Sequence, residues 1–239
     1  MDAASSVAAV ICAAGSSSRM GGIKKEYQKL DNSDEGLTVL GASVSAFASV
    51  PSVQTIVIAV PENGETAARE ALPIELLKSS STKILFVNGG DTRRASVHNA
   101  LCILISLSPR YVLIHDGARP WVSTPLIENL ITAVKKHGAV IPLLPLTDTP
   151  KECGAPFKDA SACAPVFIKT NLKRANTGIA QTPQAFKFSE ILEAHEKAAR
   201  EQEDFTDDAE IWGRFCGPVA VIAGDPKNKK ITFPEDIEQ

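Results

Sequence analysis

The chain begins with an uninterrupted apolar run over residues 7–14, closed by Gly15. A strand buried on both faces reads this way, because a parallel sheet covered by helices has no polar side. A secretory leader would need basic residues ahead of a longer run. Here the lead carries Asp2 and no Lys or Arg, so a first strand is expected. Val39, Leu40, Val44, Phe47 and Val50 then recur with helical period, and 53–60 is a β-branched strand ending at Pro61. A helix is expected over 65–77, kinked or ended by Pro73, with a third strand at 83–87. Val97, Leu101, Leu104 and Ile105 mark one helical face, and 111–114 is a fourth strand. The next helix has Thr124 as N-cap, Pro125 at its first position and Gly138 past its end, followed by a strand over 139–144. Helices resume at 189–200, with Ser189 as cap, and at 206–214, before a last strand at 219–223.

Strand and helix in alternation predict an α/β fold: a Rossmann-like, mostly parallel sheet with helices on both faces and right-handed crossovers. The alternation fails over 145–181, which holds Pro145, Pro150, Pro156 and Pro165 with short β-rich pieces such as 165–168. So long a helix-free stretch inside a compact domain signals a functional excursion or a protruding β-arm. The expectation is a single domain over 1–239 carrying that arm.

Composition narrows the chemistry. At 239 residues, 44% hydrophobic and 22% charged, the chain is an ordinary globular sequence. Its net charge of −3 excludes a broad basic surface for nucleic acid, so any anion site must be a local gathering of cations. Aromatic residues, at 5%, are too few to suggest base-stacking platforms. Cys12, Cys102, Cys153, Cys163 and Cys216 show no metal spacing and read as reduced, mostly buried thiols of a cytoplasmic protein. No stretch approaches the about 20 apolar residues of a membrane span.

In an open parallel sheet, ligands sit outside the carboxyl ends of the strands, so the loops at 13–30, 88–96, 115–120, 145–150 and 224–230 are the places to look. The first is rich in small residues and carries Arg19, Lys24, Lys25 and Lys29, yet fits neither a Walker A loop nor a dinucleotide fingerprint. Backbone N–H groups there can approach phosphates. In 88–96, Gly89 and Gly90 allow close backbone approach and Ser96 can bond a base or ribose, though Asp91 or Thr92 also suits an ordinary helix cap. Asp116, at the tip of a buried strand and before Gly117, suits a Mg²⁺ ion shared with substrate phosphates, while Arg119 offers a fork to a second phosphate. The alternative is a structural Asp116–Arg119 ion pair. His115 reads as a packing residue. Lys227 and Lys229 read as solvated, and one lysine of the 224–230 loop could close a cationic ring.

Taken in order, Ala13-Ala14-Gly15, Arg19, Lys25, Gly89-Gly90, the segment His115–Pro120, Asp148-Thr149, Gln181–Gln184, Thr206-Asp207 and the 230–236 segment resemble the 2-C-methyl-D-erythritol 4-phosphate cytidylyltransferase family of the non-mevalonate isoprenoid pathway. The resemblance implies that Arg19, Lys25 and Lys230 surround the α-phosphate of CTP. It implies that Ala13, Ala14, Gly15, Gly90, Asp91, Ser96 and Gly117 line the cytidine pocket and that Asp116 carries Mg²⁺ or another divalent cation. Arg119, Thr149, Arg174 and Thr206 would hold the methylerythritol phosphate. The arm at about 145–181 would be exchanged across a homodimer, bringing Thr149 and Arg174 within reach of a partner's site. No nucleic-acid or membrane partner is implied.

The reaction so implied is in-line attack on the α-phosphorus of CTP, which needs positioning and charge neutralisation rather than a covalent intermediate. Ribitol 5-phosphate or a related sugar-alcohol phosphate is the alternative acceptor. A non-catalytic nucleotide sensor would have no use for three cations at the α-phosphate, and a nicotinamide dehydrogenase lacks its fingerprint.

Overall fold

The computed structural model describes residues 6–16, 24–30, 36–161, 163–201 and 204–237. Its strands are β1 (Val7–Cys12), β2 (Val53–Val60), β3 (Lys83–Asn88), β4 (Tyr111–Asp116), β5 (Ala139–Pro145), β6 (Lys151–Cys153), β7 (Ile168–Asn171), β8 (Gly178–Ala180), β9 (Gln184–Lys187) and β10 (Ala220–Ala223). Its helices are α1 (Val39–Ala48), α2 (Glu65–Glu70), α3 (Ile74–Lys78), α4 (Arg93–Ile103), α5 (Thr124–His137), α6 (Phe188–Ala198) and α7 (Asp208–Phe215). The main sheet runs β10-β5-β9-β4-β1-β2-β3, with β8 added to β5. Pairings of β1 with β2 and β4, β2 with β3, and β10 with β5 are parallel. The α/β expectation therefore holds.

The apolar runs form strands because both faces are covered. On one side Phe47, Ile58, Leu113, Ile127 and Leu130 pack together, and on the other Val10, Leu101, Ile114, Phe186 and Trp212 do so. The helix at 65–77 is two helices, α2 and α3, with Pro73 as N-cap of the second. Proline can neither donate to the preceding turn nor fit beside its carbonyl.

Four local expectations are corrected. Ser123, not Thr124, occupies the N-cap of α5, shifting Thr124 and Pro125 one place inward. Lys187 occupies that position for α6, so Ser189 lies inside the helix. Ile105 falls in a 3₁₀ turn after α4 and is exposed, whereas Val97, Leu101 and Leu104 are buried. The cysteines are all unpaired, but Cys102, Cys163 and Cys216 are exposed, so thiol burial is not their common feature.

The unexpected element is β9, which runs antiparallel between β4 and β5. It returns the chain from the irregular 145–181 stretch into the centre of the sheet. Within that stretch β6 and β7 form a separate antiparallel ribbon, with Phe157, Phe167 and Ile168 exposed. Among the described residues no helix is long and apolar enough to cross a membrane.

Because Phe186 of β9 is fully buried and stacks on Trp212 at 5.6 Å, Phe186→Ala should cost about 3–5 kcal/mol of stability. Urea unfolding measures this. A loss below about 1 kcal/mol would mean that β9 is not part of the cooperative core.

Candidate functional site

Strand β4 delivers Asp116 to the carboxyl edge of the sheet, in register with Cys12 at the end of β1. Three cations converge on this carboxylate. Lys230 Nζ lies 2.8 Å from Oδ2, Arg119 Nε 3.6 Å from Oδ2, and Arg93 Nε 3.4 Å from Oδ1. Burial alone would raise the Asp116 pKa, but Arg93, Lys230 and Arg119 overcome it and hold the carboxyl far below the usual carboxylate range. The Asp116–Arg119 ion pair thus exists, as one part of a larger cluster.

Each cation is fixed by its own element. Thr92 caps α4 by accepting the Ala95 N–H at 3.0 Å, which puts Arg93 in the first helical turn beside the end of β3. Arg119 donates from Nη1 to the Asn228 carbonyl at 2.9 Å. Asn228 is fully buried and donates from Nδ2 to the Thr182 carbonyl at 2.7 Å. Gln181 grips the same loop, donating to the Asp225 and Asn228 carbonyls at 2.9 and 3.0 Å. Next to Lys230, the Ile231 N–H donates to the Ala118 carbonyl at 2.9 Å, and Ile231 O accepts from Lys25 Nζ at 2.8 Å. Two lysines from opposite ends of the chain are thereby brought to one wall.

A cleft of about 460 Å³ opens on this wall, lined among others by Ala14, Gly15, Lys25, Gly90, Asp91, Arg93, Ser96, Asp116 and Lys230. A smaller hollow of about 300 Å³ lies on the other side, lined by Arg93, Asp116, Arg119, Thr182, Gln184, Thr206 and Lys230 among others. Arg93, Asp116 and Lys230 belong to both. The glycines set the shape of the larger chamber. A Cβ on Gly89 would come within 2.4 Å of the Ala14 Cβ, and one on Gly90 within 2.5 Å of the Ala95 Cβ. Ser96 Oγ accepts the Gly90 N–H at 3.0 Å and so holds the floor of the cleft.

The site residues expected from sequence divide accordingly. Lys25, Lys230, Ala14, Gly15, Gly90, Asp91, Ser96 and Asp116 line the larger chamber, while Arg119 and Thr206 line the smaller. Ala13 and Gly117 pack behind the wall: the Ala13 N–H donates to Ala59 O and the Gly117 N–H to Cys12 O, each at 2.9 Å. Arg19 lies outside the described residues. Thr149 and Arg174 line neither chamber; Arg174 donates to the Thr147 carbonyl at 2.7 Å and borders a separate hollow beside β5, β8 and β10. Lys227 and Lys229 are exposed, as expected for solvated lysines.

Arg93 and Asn228 were not singled out from sequence. The one sequence signal for Arg93 is its place after a candidate cap at Thr92, which puts it in the first helical turn without distinguishing it from Arg94. Cys12 borders the larger chamber, but burial pushes its thiol up to about 12, which removes it as a nucleophile at neutral pH. Among the described residues no group of three or more His, Cys, Asp or Glu side chains could hold a metal by itself.

Two chambers sharing one carboxylate and two cations, at the strand ends of an α/β sheet, suit an enzyme that brings two anions together. Comparison with known proteins gives the family. The profile of the 2-C-methyl-D-erythritol 4-phosphate cytidylyltransferase family matches residues 7–239. The bifunctional enzyme IspD/IspF of Brucella anthropi is 37% identical over 238 residues, covering 98% of this chain and 54% of its own. That of Bradyrhizobium sp. is 40% identical over 233 residues, covering 96% and 54%. The chain spans about half the length of these curated relatives. The crystal structure of the 4-diphosphocytidyl-2C-methyl-D-erythritol synthase of Anaerococcus prevotii superposes with a TM-score of 0.80 at 28% identity, covering 97% of this chain and 92% of the other. The Francisella tularensis cytidylyltransferase does so with 0.76 at 29%, covering 98% and 97%. The chain belongs to the 2-C-methyl-D-erythritol 4-phosphate cytidylyltransferase family, nucleotidyltransferases of isoprenoid biosynthesis.

His115 is the packing residue expected. It is fully buried, its ring 5.1 Å from that of Phe47, with Nδ1 3.1 Å from Thr182 Oγ1 and Nε2 3.2 Å from Arg119 O. Burial lowers its pKa to about 4. A depressed folded-state pKa contributes stability above the ordinary value near 6.5, and that contribution is lost as pH falls toward 4. The linked loss is about 3 kcal/mol. Unfolding free energies measured from pH 7 to 4 should therefore fall more steeply for the native chain than for His115→Gln; parallel curves would contradict this.

Proposed function

We propose that this chain joins CTP to 2-C-methyl-D-erythritol 4-phosphate, releasing pyrophosphate and forming 4-diphosphocytidyl-2-C-methyl-D-erythritol. The observation that carries the reading is the sharing of Arg93, Asp116 and Lys230 by two chambers. The larger takes the nucleotide, with Ala14, Gly15, Gly90, Asp91 and Ser96 around it and Ala13 and Gly117 behind. The smaller takes the acceptor phosphate, held by Arg119 and Thr206.

In the reaction an oxygen of the acceptor phosphate attacks the α-phosphorus. A bond forms there while the bond to the bridging oxygen of the β-phosphate breaks, and pyrophosphate leaves with that electron pair. The attacking oxygen is already ionised, so no general base is required. Lys25 and Lys230, with Arg19 assigned beside them from the family resemblance, neutralise the charge that gathers at the α-phosphate. Two unit charges 4 Å apart repel by about 4 kcal/mol at an effective dielectric of 20, so each cation offsets a repulsion of that order.

A divalent cation fits the donor set. Magnesium needs one or two carboxylates and completes its shell with phosphate and water, and Asp116 is an ionised carboxylate common to both chambers. Bound there, Mg²⁺ would screen the triphosphate and orient its α-phosphate. Lys230, paired with Asp116 without substrate, would then turn to the phosphate.

The ribbon of β6 and β7 reads as the dimerisation arm of a single domain, and the protein as a homodimer. Exposed Phe157, Phe167 and Ile168 on the arm, with Ile179 and Val221 on the strands beside it, support that reading. Thr149 and Arg174, which line neither chamber, would serve the partner's acceptor site. Five unpaired cysteines support a reducing, cytoplasmic location.

Pyrophosphate release with CTP and either methylerythritol phosphate or ribitol 5-phosphate tests the proposal. Turnover with the first supports it, and turnover with ribitol phosphate alone overturns it. Lys25→Ala should lower kcat about 10²–10³-fold with near-native unfolding, the cost of removing one preorganised donor to a transition-state charge. Retention of kcat would remove Lys25 from the mechanism.

A further inference from the structure

Behind the two chambers lies a buried ionic chain that the reaction above does not use. Arg93 has two carboxylate partners: Asp116 in front, 3.4 Å from Nε, and Asp208 behind, 2.8 Å from Nη2. Asp208 sits in the first turn of α7 and is fully buried. Its other oxygen, Oδ1, lies 3.1 Å from Nε2 of His195, a fully buried residue of α6, and only a donating nitrogen satisfies that contact. Burial raises the Asp208 pKa, but Arg93 and the His195 hydrogen bond outweigh it, so the carboxyl is held below the usual carboxylate range.

A fully buried carboxylate is costly to desolvate and is a weak source of net stability. A fixed direction for the guanidinium is what this arrangement provides. Without the rear carboxylate, the guanidinium would be held only by the 3.4 Å contact of its Nε with Asp116 and would lose its fixed direction. The acidic pair Asp207-Asp208 also divides its work: Asp207 caps α7 by accepting the Glu210 N–H and accepts from Gln184 Nε2 at 2.7 Å, leaving Asp208 to face Arg93.

We propose that Arg93 contacts the phosphate transferred between the chambers and that Asp208, backed by His195, is its positioning residue, fixing the direction of the guanidinium at the boundary the chambers share. The inference rests on the cytidylyltransferase reading and adds residues to the same site.

The test is a double-mutant cycle of Arg93→Gln and Asp208→Asn, read by pyrophosphate release and separately by calorimetric CTP affinity. Arg93→Gln should lower kcat about 10²-fold. Asp208→Asn should lower it about 10-fold or more, through misplacement of Arg93. The double variant should match Arg93→Gln within about a factor of two, because both changes remove one effect. Asp208→Glu, which keeps the charge, should recover most of the rate lost in Asp208→Asn. Losses that multiply in the double variant, or a native kcat in Asp208→Asn, overturn the proposal, since a purely structural Asp208 would act independently of Arg93.

If Asp208→Asn does not unfold cooperatively, His195→Gln replaces it in the cycle. A loss of about 3–10-fold, the worth of one hydrogen bond, should vanish in the Arg93→Gln background. No loss, or a loss that persists there, overturns the proposal. Should the native chain release no pyrophosphate with either acceptor, the reaction reading fails by itself. CTP affinity then decides the inference: non-additive weakening upholds it, and additive or absent weakening overturns it.

Discussion

A buried carboxylate at the end of a central strand must be compensated, and the compensation of Asp116 organises the working edge of this protein. Its partners come from three places: Arg93 from the start of α4, Arg119 from the loop after β4, and Lys230 from the loop after β10. Each can reach Asp116 only if its own segment is held. The Thr92 cap, the Asn228–Gln181–Thr182 hydrogen bonds and the Ile231 backbone bonds do that holding. Charge balance at one side chain and closure of distant loops are therefore one problem with one solution.

On the proposed reaction, the same cluster explains how a chain of net charge −3 would accept two phosphorylated molecules. Arg93, Arg119 and Lys230 share the carboxylates of Asp116 and Asp208, which offset part of their charge. Phosphate oxygens would then replace carboxylate oxygens as their partners, so no large excess of positive charge would have to be carried on the surface. Among the described residues the chambers share Arg93, Asp116 and Lys230, which is where the proposed reaction would need bond formation.

The strands were legible because a parallel sheet covered on both sides leaves long apolar runs such as 7–12 and 53–60, and four of the five loops named by the strand-end rule contribute residues to the linings of the two chambers. Strand β9 was not, since Gln184–Lys187 is four residues long, preceded by Pro183 and polar at both ends. Its place between β4 and β5 is set by tertiary pairing and not by local pattern. Asp116 was legible as chemistry, and Lys230 only through the family resemblance. Arg93 was hidden beside Arg94 in what reads as an ordinary helix start, Asn228 inside a run of lysines, and Asp208 beside an acidic residue that caps a helix. In each case the decisive fact is which neighbour becomes buried, and burial depends on contacts far away in sequence.

Relatives twice as long carry this same unit within a larger chain, and single-unit structures share its fold over nearly their whole length. The account of its chemistry can be tested on this unit alone. The most direct measurement is a crystal structure of the chain with CTP and magnesium. The α-phosphate is expected within hydrogen-bonding distance of Lys25 and Lys230, with the metal on Asp116 and Lys230 released from that carboxylate. A triphosphate directed into solvent, with Lys230 still paired to Asp116 and the metal bound elsewhere, would contradict it.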